Sequence, residues 1–193
     1  MTKDLSVEDK KTLLEVAREA IEAKVKDEAL PTLSVDSFSP PLREKGASFV
    51  TLKKQGDLRG CVGTLEAEQP LVKDVQERAV AAAFHDFRFP PLKAEELSEI
   101  TIEVSCLTEP QPLEYTTADE LLHKLEPGVD GVVLSDGYHK ATFLPQVWET
   151  LPEEGEFLSR LCFKMGVKPT LWREKELDVK TYRVIKFKEG ELS

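Results

Sequence analysis

The residues whose types and spacing suit chemistry are densest in one segment of this 193-residue chain, Leu58-Arg59-Gly60-Cys61-Val62-Gly63. Alternate residues of a strand share a face, so Arg59 and Cys61 are expected side by side. A guanidinium near a thiol lowers the pKa of the thiol, and the thiolate is the reactive form. The pairing predicts a reactive Cys61. The alternative is a buried cysteine that packs as a small apolar side chain.

Two glycines, Gly60 and Gly63, interrupt this segment. Glycine inside a strand costs stability, so it marks a β-bulge or a position where another group approaches the backbone closely. The segment is therefore predicted to be an irregular strand with a close neighbour.

A second cluster of chemically capable residues is Phe84-His85-Asp86-Phe87-Arg88-Phe89-Pro90-Pro91. In a functional interpretation, His85 acts as the base for Cys61, as in Cys–His nucleophilic pairs. In a structural one, Asp86 and Arg88 form an ion pair that holds a turn, while the aromatic rings and the prolines seal the core. The structural interpretation is favoured, because ion pairs at turns are frequent and catalytic dyads are rare.

Several classes of site are not supported by the sequence. The three cysteines are far apart and form no Cys-x-x-Cys, which argues against a zinc ribbon or a thioredoxin-type pair. Their odd number fits free thiols in a reducing compartment. The three histidines show no metal-ligand spacing, and no phosphate-binding loop, Rossmann fingerprint or serine nucleophile elbow is present. We therefore expect no metal and no cofactor.

The charge pattern narrows the range of partners. The chain carries 26 basic and 36 acidic side chains, a formal net charge of −10. Residues 101–150 contain nine acidic side chains against Lys124 and Lys140, so this stretch contributes −7. Such a stretch repels a phosphate backbone or an anionic membrane, so neither nucleic acid nor membrane is expected as a partner. The start of the chain lacks a signal-peptide pattern, which predicts a cytoplasmic protein.

The elements that must position these residues can be placed by pattern. Ser6 is the expected N-cap of a helix that runs to about residue 28. Strands over 47–54 and 58–65 flank the turn at Gln55-Gly56-Asp57 and form a hairpin. A helix with a small-residue face begins at Pro70 and ends before Pro90-Pro91. A strand with one buried face begins at Ile100.

The second half repeats this order. A short helix over 117–125 precedes strands at 132–135 and 139–144, which flank the hairpin signal Asp136-Gly137. A helix over 155–165 is closed by Gly166, and one final strand holds Val179 through Phe187. The recurrence of strand–strand–helix–strand predicts an α+β fold built from a duplicated unit.

Taken in order, these segments resemble one family, the AMMECR-domain family, and within it protein A of the AmmeMemoRadiSam system. The matching segments are Phe49-Val50-Thr51-Leu52, Leu58-Arg59-Gly60-Cys61-Val62-Gly63, Asp86-Phe87-Arg88-Phe89-Pro90-Pro91, Ala141-Thr142-Phe143-Leu144-Pro145-Gln146-Val147-Trp148, Phe157-Leu158 and Leu161-Cys162-Phe163-Lys164-Met165-Gly166. The resemblance implies an α+β fold over 1–193, with two intertwined subdomains of roughly 1–112 and 113–193. It also implies association with a radical S-adenosylmethionine (radical-SAM) protein and a Memo-like protein.

By motif match, the resemblance implies a site that includes Arg59, Gly60, Cys61 and Gly63, with Asp86, Arg88 and Phe89 from the second cluster, whereas His85 lies outside the pattern. Two guanidiniums can orient a carboxylate or phosphate. The first hypothesis is therefore a cytoplasmic accessory or binding protein of a radical-SAM/Memo-associated modification system. It presents the Arg-Gly-Cys loop to a small anionic ligand or a partner peptide. Its acidic surface would dock a basic patch of the partner.

Two further hypotheses stay open. In the second, the protein is an enzyme with Cys61 as nucleophile or thiol carrier and Arg59 as its activator. Arg88 is then the anion clamp, and Asp86 orients an arginine or acts as a base. In the third, the motif is purely structural, so that Arg59 bridges backbone carbonyls and Cys61 is buried.

Overall fold

The chain folds into two units, and the first of them is not continuous in sequence. A computed structural model describes residues 5–192. Unit 1 comprises the described residues up to Thr108 together with those from Ile185 onward, and unit 2 comprises Glu109–Val184. The chain therefore leaves unit 1 once and returns to it for its last strand.

The elements follow in chain order, apart from short 3-10 turns. The first half contains α1 (Val7–Val25), α2 (Pro40–Arg43), β1 (Lys45–Lys54), β2 (Asp57–Gly63), β3 (Gln69–Pro70), α3 (Leu71–Phe84) and β4 (Ile100–Leu107). The second half contains β5 (Gln111–Pro112), α4 (Ala118–Lys124), β6 (Gly131–Ser135), β7 (Lys140–Phe143), α5 (Glu154–Met165), α6 (Leu171–Glu174), β8 (Asp178–Tyr182) and β9 (Val184–Lys188). Helices and strands are mixed, which confirms the α+β class.

The sheet of unit 1 has the order β2-β1-β4-β9, with β3 paired to β1. Helix α1 starts at the predicted cap, where the side chains of Ser6 and Asp9 form a capping box. Helices α1 and α3 pack on one face of the sheet and share a single core with it. Buried members of that core are Leu13, Ala17, Ile21, Val50, Leu52, Val72, Val75, Ala79, Ile102, Val104 and Phe187. Because side chains alternate along a strand, residues 51, 53 and 103 point to the other face.

Unit 2 has its own sheet, β5-β8-β6-β7, and its own core. The predicted hairpin is present, with Asp136-Gly137 between β6 and β7 and a positive φ at Gly137. Helix α5 ends at Gly166 in the left-handed conformation, as the sequence predicted. The Trp148 ring stacks on Phe157 with ring centroids 3.7 Å apart, at the centre of this core.

The predicted duplication is visible in the order of elements and in the sheets. In β1-β2-α3-β4 and in β6-β7-α5-β8, the first strand lies between the second and the third. Each sheet then gains a fourth strand beside the third one, β9 in unit 1 and β5 in unit 2.

The prediction of one final strand is wrong. Two strands occupy this region, β8 beside β6 in one sheet and β9 beside β4 in the other, separated only by Arg183. Both are extended and partly apolar, so the residue pattern alone does not reveal the change of sheet. Within residues 5–192, no helix is long and apolar enough to cross a membrane.

Candidate functional site

Arg59 is the extra residue of a β-bulge in β2. Leu52 pairs with Gly60 and Lys53 pairs with Leu58, so the residue between them has no partner on β1. A bulge disturbs the alternation of side chains, and the spacing alone then no longer places Arg59 beside the Cys61 thiol.

The guanidinium of Arg59 forms hydrogen bonds with other residues of the chain. Its Nε and Nη2 donate to the two carboxylate oxygens of Glu96 at 2.8 and 2.9 Å, and Nη2 also donates to the Pro90 carbonyl at 3.0 Å. The Arg59 hydrogen bond outweighs burial and lowers the pKa of Glu96 to about 2. Within residues 5–192, the buried Nη1 has no hydrogen-bond partner. A carbonyl contact of this kind is what the structural hypothesis expects.

Asp86 and Arg88 form the ion pair expected at the turn, and together they hold Cys61. Asp86 Oδ2 accepts from the Cys61 backbone N–H at 2.9 Å and from Arg88 Nη2 at 2.7 Å. Its Oδ1 accepts from Arg88 Nε at 2.9 Å and from the Arg88 backbone N–H at 3.1 Å. Arg88 Nη2 also donates to the Cys61 carbonyl at 3.3 Å. We call these three residues the Cys61 clamp.

The clamp closes the free edge of the sheet. β2 is the edge strand, and an unpaired edge is a template for another chain. Asp86 takes the outward N–H of Cys61 and Arg88 takes its outward C=O, which is the pairing that a neighbouring strand would supply. The contacts of Arg59 with Pro90 and Glu96 continue this closure along the strand.

Two aromatic residues of the turn, Phe89 and Phe87, lie in different surroundings. The Phe89 ring lies near both guanidiniums, with its centroid 6.0 Å from Arg59 Cζ and 5.5 Å from Arg88 Cζ. The structural interpretation of the sequence predicts that Phe87 helps to seal the core, but Phe87 is 96% exposed. That expectation is wrong because the bonds of the Asp86 carboxylate fix a turn in which residue 87 points outward.

The two glycines of β2 are approached by the chain itself. A Cβ at Gly60 would lie 2.1 Å from the Ala82 carbonyl of α3. A Cβ at Gly63 would lie 2.2 Å from the Phe49 ring and 2.6 Å from the Ser48 carbonyl. Both the bulge and the close approach predicted from these glycines are present, and the approaching groups are a helix backbone and a neighbouring strand.

The Cys61 thiol is half-buried and faces away from the helices. Thr51, its direct partner across β1, donates a hydrogen bond from Oγ1 to Sγ at 3.2 Å. Thr51 is also paired directly with Glu103 on β4. Glu103 is buried and forms ion pairs with Lys186 at 2.9 Å and Lys53 at 3.3 Å. We call Cys61, Thr51, Glu103 and the two lysines the polar row.

Sequence reasoning missed Thr51, Glu96 and Glu103. The alternation in β4 marks Glu103 as a residue of the polar face, but its position beside Thr51 depends on strand register, which the sequence does not give. Glu96 is 37 residues from Arg59, and no local pattern connects the two.

The other expected chemical groups do not join this site. His85 is exposed, and its ring makes no hydrogen bond or ion pair within residues 5–192. Cys106 and Cys162 are buried, and burial raises the pKa of the Cys162 thiol. In the described part of the chain, no group of three His, Cys, Asp or Glu side chains is arranged to hold a metal ion.

The lowered pKa values of the two carboxylates of the site predict that the stability of the fold decreases at acidic pH. The Arg88 hydrogen bond, aided by the Cys61 N–H, holds the pKa of Asp86 well below its usual range, and Arg59 does the same for Glu96. Because both pKa values are lower in the folded state, the unfolded chain takes up protons first as the pH falls. Their stabilisation is therefore complete above about pH 5 and is lost progressively towards pH 2.

Chemical denaturation at a series of pH values measures this loss. In Glu96→Gln the stability should fall less steeply between about pH 5 and pH 2 than in the wild type. Equal slopes would contradict the assignment of Glu96.

Known proteins are similar to this one over most of the chain. The sequence model of the AMMECR1 family matches residues 14–187. A protein of Methanothermobacter thermautotrophicus is 38% identical over 188 residues, covering 96% of each chain. One of Sulfolobus acidocaldarius is 37% identical over 193 residues, covering 96% of this chain and 84% of its own. The crystal structure of uncharacterized protein PH0010 from Pyrococcus horikoshii is similar with a TM-score of 0.73 and 34% identity, over 92% of this chain and 90% of that one.

Proposed function

The chain belongs to the AMMECR1 family, and we propose that it is a binding protein that presents the Cys61 thiol beside the Arg88 guanidinium to an anionic ligand or a partner peptide. Within the family we assign it to protein A of the AmmeMemoRadiSam system. The proposed partners are accordingly a radical-SAM protein and a Memo-like protein, and the proposed compartment is the cytoplasm.

The Cys61 clamp is the observation that carries this proposal. It fixes both backbone polar groups of Cys61 and leaves the thiol half-buried rather than enclosed. The Arg88 side chain is 45% exposed, whereas that of Asp86 beneath it is 4% exposed. A ligand therefore meets the cation and not the carboxylate, next to a thiol whose position is fixed. Positioning of this kind lowers the entropic cost of binding.

The roles of the two arginines are proposed to differ. Arg59 already binds Glu96 and the Pro90 carbonyl, so its contribution is to hold the loop in place. Arg88 keeps Nη1 without a hydrogen-bond partner among residues 5–192, and this nitrogen is the donor that we assign to the anion.

Thiol catalysis is the second candidate function, and the hydrogen bond from Thr51 favours it. This bond orients the Cys61 sulfur, and a nucleophile held in a fixed position is what covalent catalysis requires. Thiol catalysis also needs a general base to accept the proton of Cys61, and Asp86 is poorly suited to this role. Asp86 is held ionised by its donors and its lowered pKa makes it a poor proton acceptor. We therefore place catalysis second.

Alkylation of the three cysteines with iodoacetamide, followed by peptide mass spectrometry, tests the proposal. Cys61 should react at least roughly ten-fold faster than Cys106 and Cys162, which serve as buried internal controls, because reactivity follows exposure. A Cys61 as slow as the two buried thiols would show that it is not presented, and would overturn the proposal.

The same reaction tests the partners. Purified radical-SAM or Memo-like protein, added in excess, should slow the alkylation of Cys61 in the wild type and should protect Arg88→Gln much less. Thermal unfolding of Arg88→Gln shows whether the variant is folded. If neither protein slows the alkylation, the assignment of these partners is wrong.

A further inference from the structure

Three cations around Cys61, namely Arg88, Lys53 and Lys186, are each more exposed than the carboxylate that neutralises them. Glu103 has an 8% exposed side chain, and its partners Lys53 and Lys186 are 38% and 57% exposed. Arg88 and Asp86 show the same order, at 45% and 4%. A molecule that approaches the polar face of the unit 1 sheet thus meets three cations before it meets either carboxylate.

The charges of the polar row do not cancel. One buried carboxylate, Glu103, faces two ammonium groups, so the group has a net charge of +1 at neutral pH. This local excess is unusual on a chain with a formal charge of −10. The carboxylate is buried, whereas the ammonium groups are exposed. An anion outside the protein is therefore closer to the ammonium groups than to the carboxylate, and attraction outweighs repulsion.

The polar row connects these lysines to the thiol. Cys61, Thr51 and Glu103 are successive cross-strand partners on β2, β1 and β4, so their side chains lie side by side on one face. Neighbouring strands are about 4.8 Å apart, which places Glu103 roughly 10 Å from Cys61. A small ligand with an anionic group at each end can span the distance between Cys61 and Glu103.

We propose that the polar row is the second half of the binding site, and that the ligand has two anionic groups, one bound by Arg88 next to Cys61 and the other by Lys53 and Lys186. This inference rests on the proposed function, because it extends the site that presents Cys61. It adds residues of β1, β4 and β9 to that site, and it specifies a dianion rather than any anion.

Two disulfide probes of opposite character test the proposal. 5,5′-Dithiobis(2-nitrobenzoate) carries two carboxylates, and 4,4′-dithiodipyridine is neutral. In both cases the Cys61 thiolate attacks one sulfur, the S–S bond of the probe breaks, a mixed disulfide forms, and a coloured thiolate or thione leaves with the electron pair. The ratio of the two rates measures the preference of the site for anions, and Cys61→Ser provides the background.

The variants are chosen to move this ratio in opposite directions. Lys53→Gln/Lys186→Gln should lower the ratio roughly five-fold, and Glu103→Gln should raise it roughly two-fold, because attraction to the probe follows the local charge. Lys24→Gln/Lys73→Gln is the matched control. It removes the same charge from exposed positions on α1 and α3, the helices on the other face of the sheet, and should leave the ratio nearly unchanged.

The outcomes separate this inference from the proposed function. If Cys61 reacts readily with both probes while the lysine variant and Glu103→Gln leave the ratio unchanged, the polar row is not an anion site and only this inference is overturned. If Cys61 is inert to both probes, the proposed function fails and this inference fails with it. A ratio that falls equally in the control variant would show a general effect of net charge and would also overturn the inference.

Discussion

Asp86→Ala is expected to lower the free energy of unfolding by about 3 kcal/mol, because a buried carboxylate with several charge-assisted bonds is removed. The substitution leaves the Cys61 N–H without an acceptor and Arg88 without a counter-ion. Arg88 is partly exposed and regains water, so the loss should stay below that of a fully enclosed ion pair. The larger consequence is local, because the edge of β2 is opened at Cys61.

Hydrogen exchange measured by mass spectrometry is the suitable readout for this variant. Both tryptophans belong to the core of unit 2, so their fluorescence reports directly on that core and not on strand β2. Peptides of β2 should exchange faster in Asp86→Ala, and the protein should associate more readily through the opened edge.

Asp136→Ala is the matched control for Asp86→Ala. Asp136 also accepts backbone hydrogen bonds, from Tyr138 and His139, but these donors belong to exposed residues of a hairpin tip, where water can replace the lost carboxylate. Its effect should be clearly smaller. Equal effects of the two substitutions would show that the clamp contributes nothing beyond an ordinary turn.

The sequence predicted those features of the fold that local patterns determine. Ser6 as N-cap, Gly166 as helix terminator and Asp136-Gly137 as hairpin turn each depend on a few adjacent residues. The duplicated order followed from the same local signals. The prediction of a single final strand is wrong because the choice between the two sheets depends on pairing with β4 or β6, which are distant in sequence.

The candidate site shows the same division. The ion pair of Asp86 with Arg88 was predictable, since the two residues are neighbours in a turn. The partner of Arg59 was not, because a bulge redirects its side chain and the acceptor is on a distant turn. Thr51 and Glu103 became visible only through the register of three strands. A sequence thus indicated which residues are chemically capable, while tertiary pairing decided which of them meet.

Gly60→Ala is expected to cost at least about 3 kcal/mol, although alanine in place of glycine usually stabilises a strand by about 0.5–1 kcal/mol. The added methyl group would lie 2.1 Å from the Ala82 carbonyl oxygen and 3.1 Å from its carbon. Both atoms belong to the backbone of α3, so relief requires that the helix move away from β2 and not merely that a side chain rotate. Since Asp86 lies two residues beyond the last residue of α3, such a movement also pulls the clamp away from Cys61.

Gly56→Ala separates this clash from the general cost of replacing a glycine in the same hairpin. Gly56 has a positive φ of 91° but nothing within 4 Å of an added Cβ, so alanine there should cost about 1 kcal/mol through backbone strain alone. Gly60→Ala should exceed that loss in chemical denaturation and should also change the rate at which iodoacetamide alkylates Cys61, whereas Gly56→Ala should leave that rate unchanged. If the two variants were equally stable and equally reactive, α3 would not hold the position of Cys61, and the glycine would have to be explained by something other than the approach of the helix.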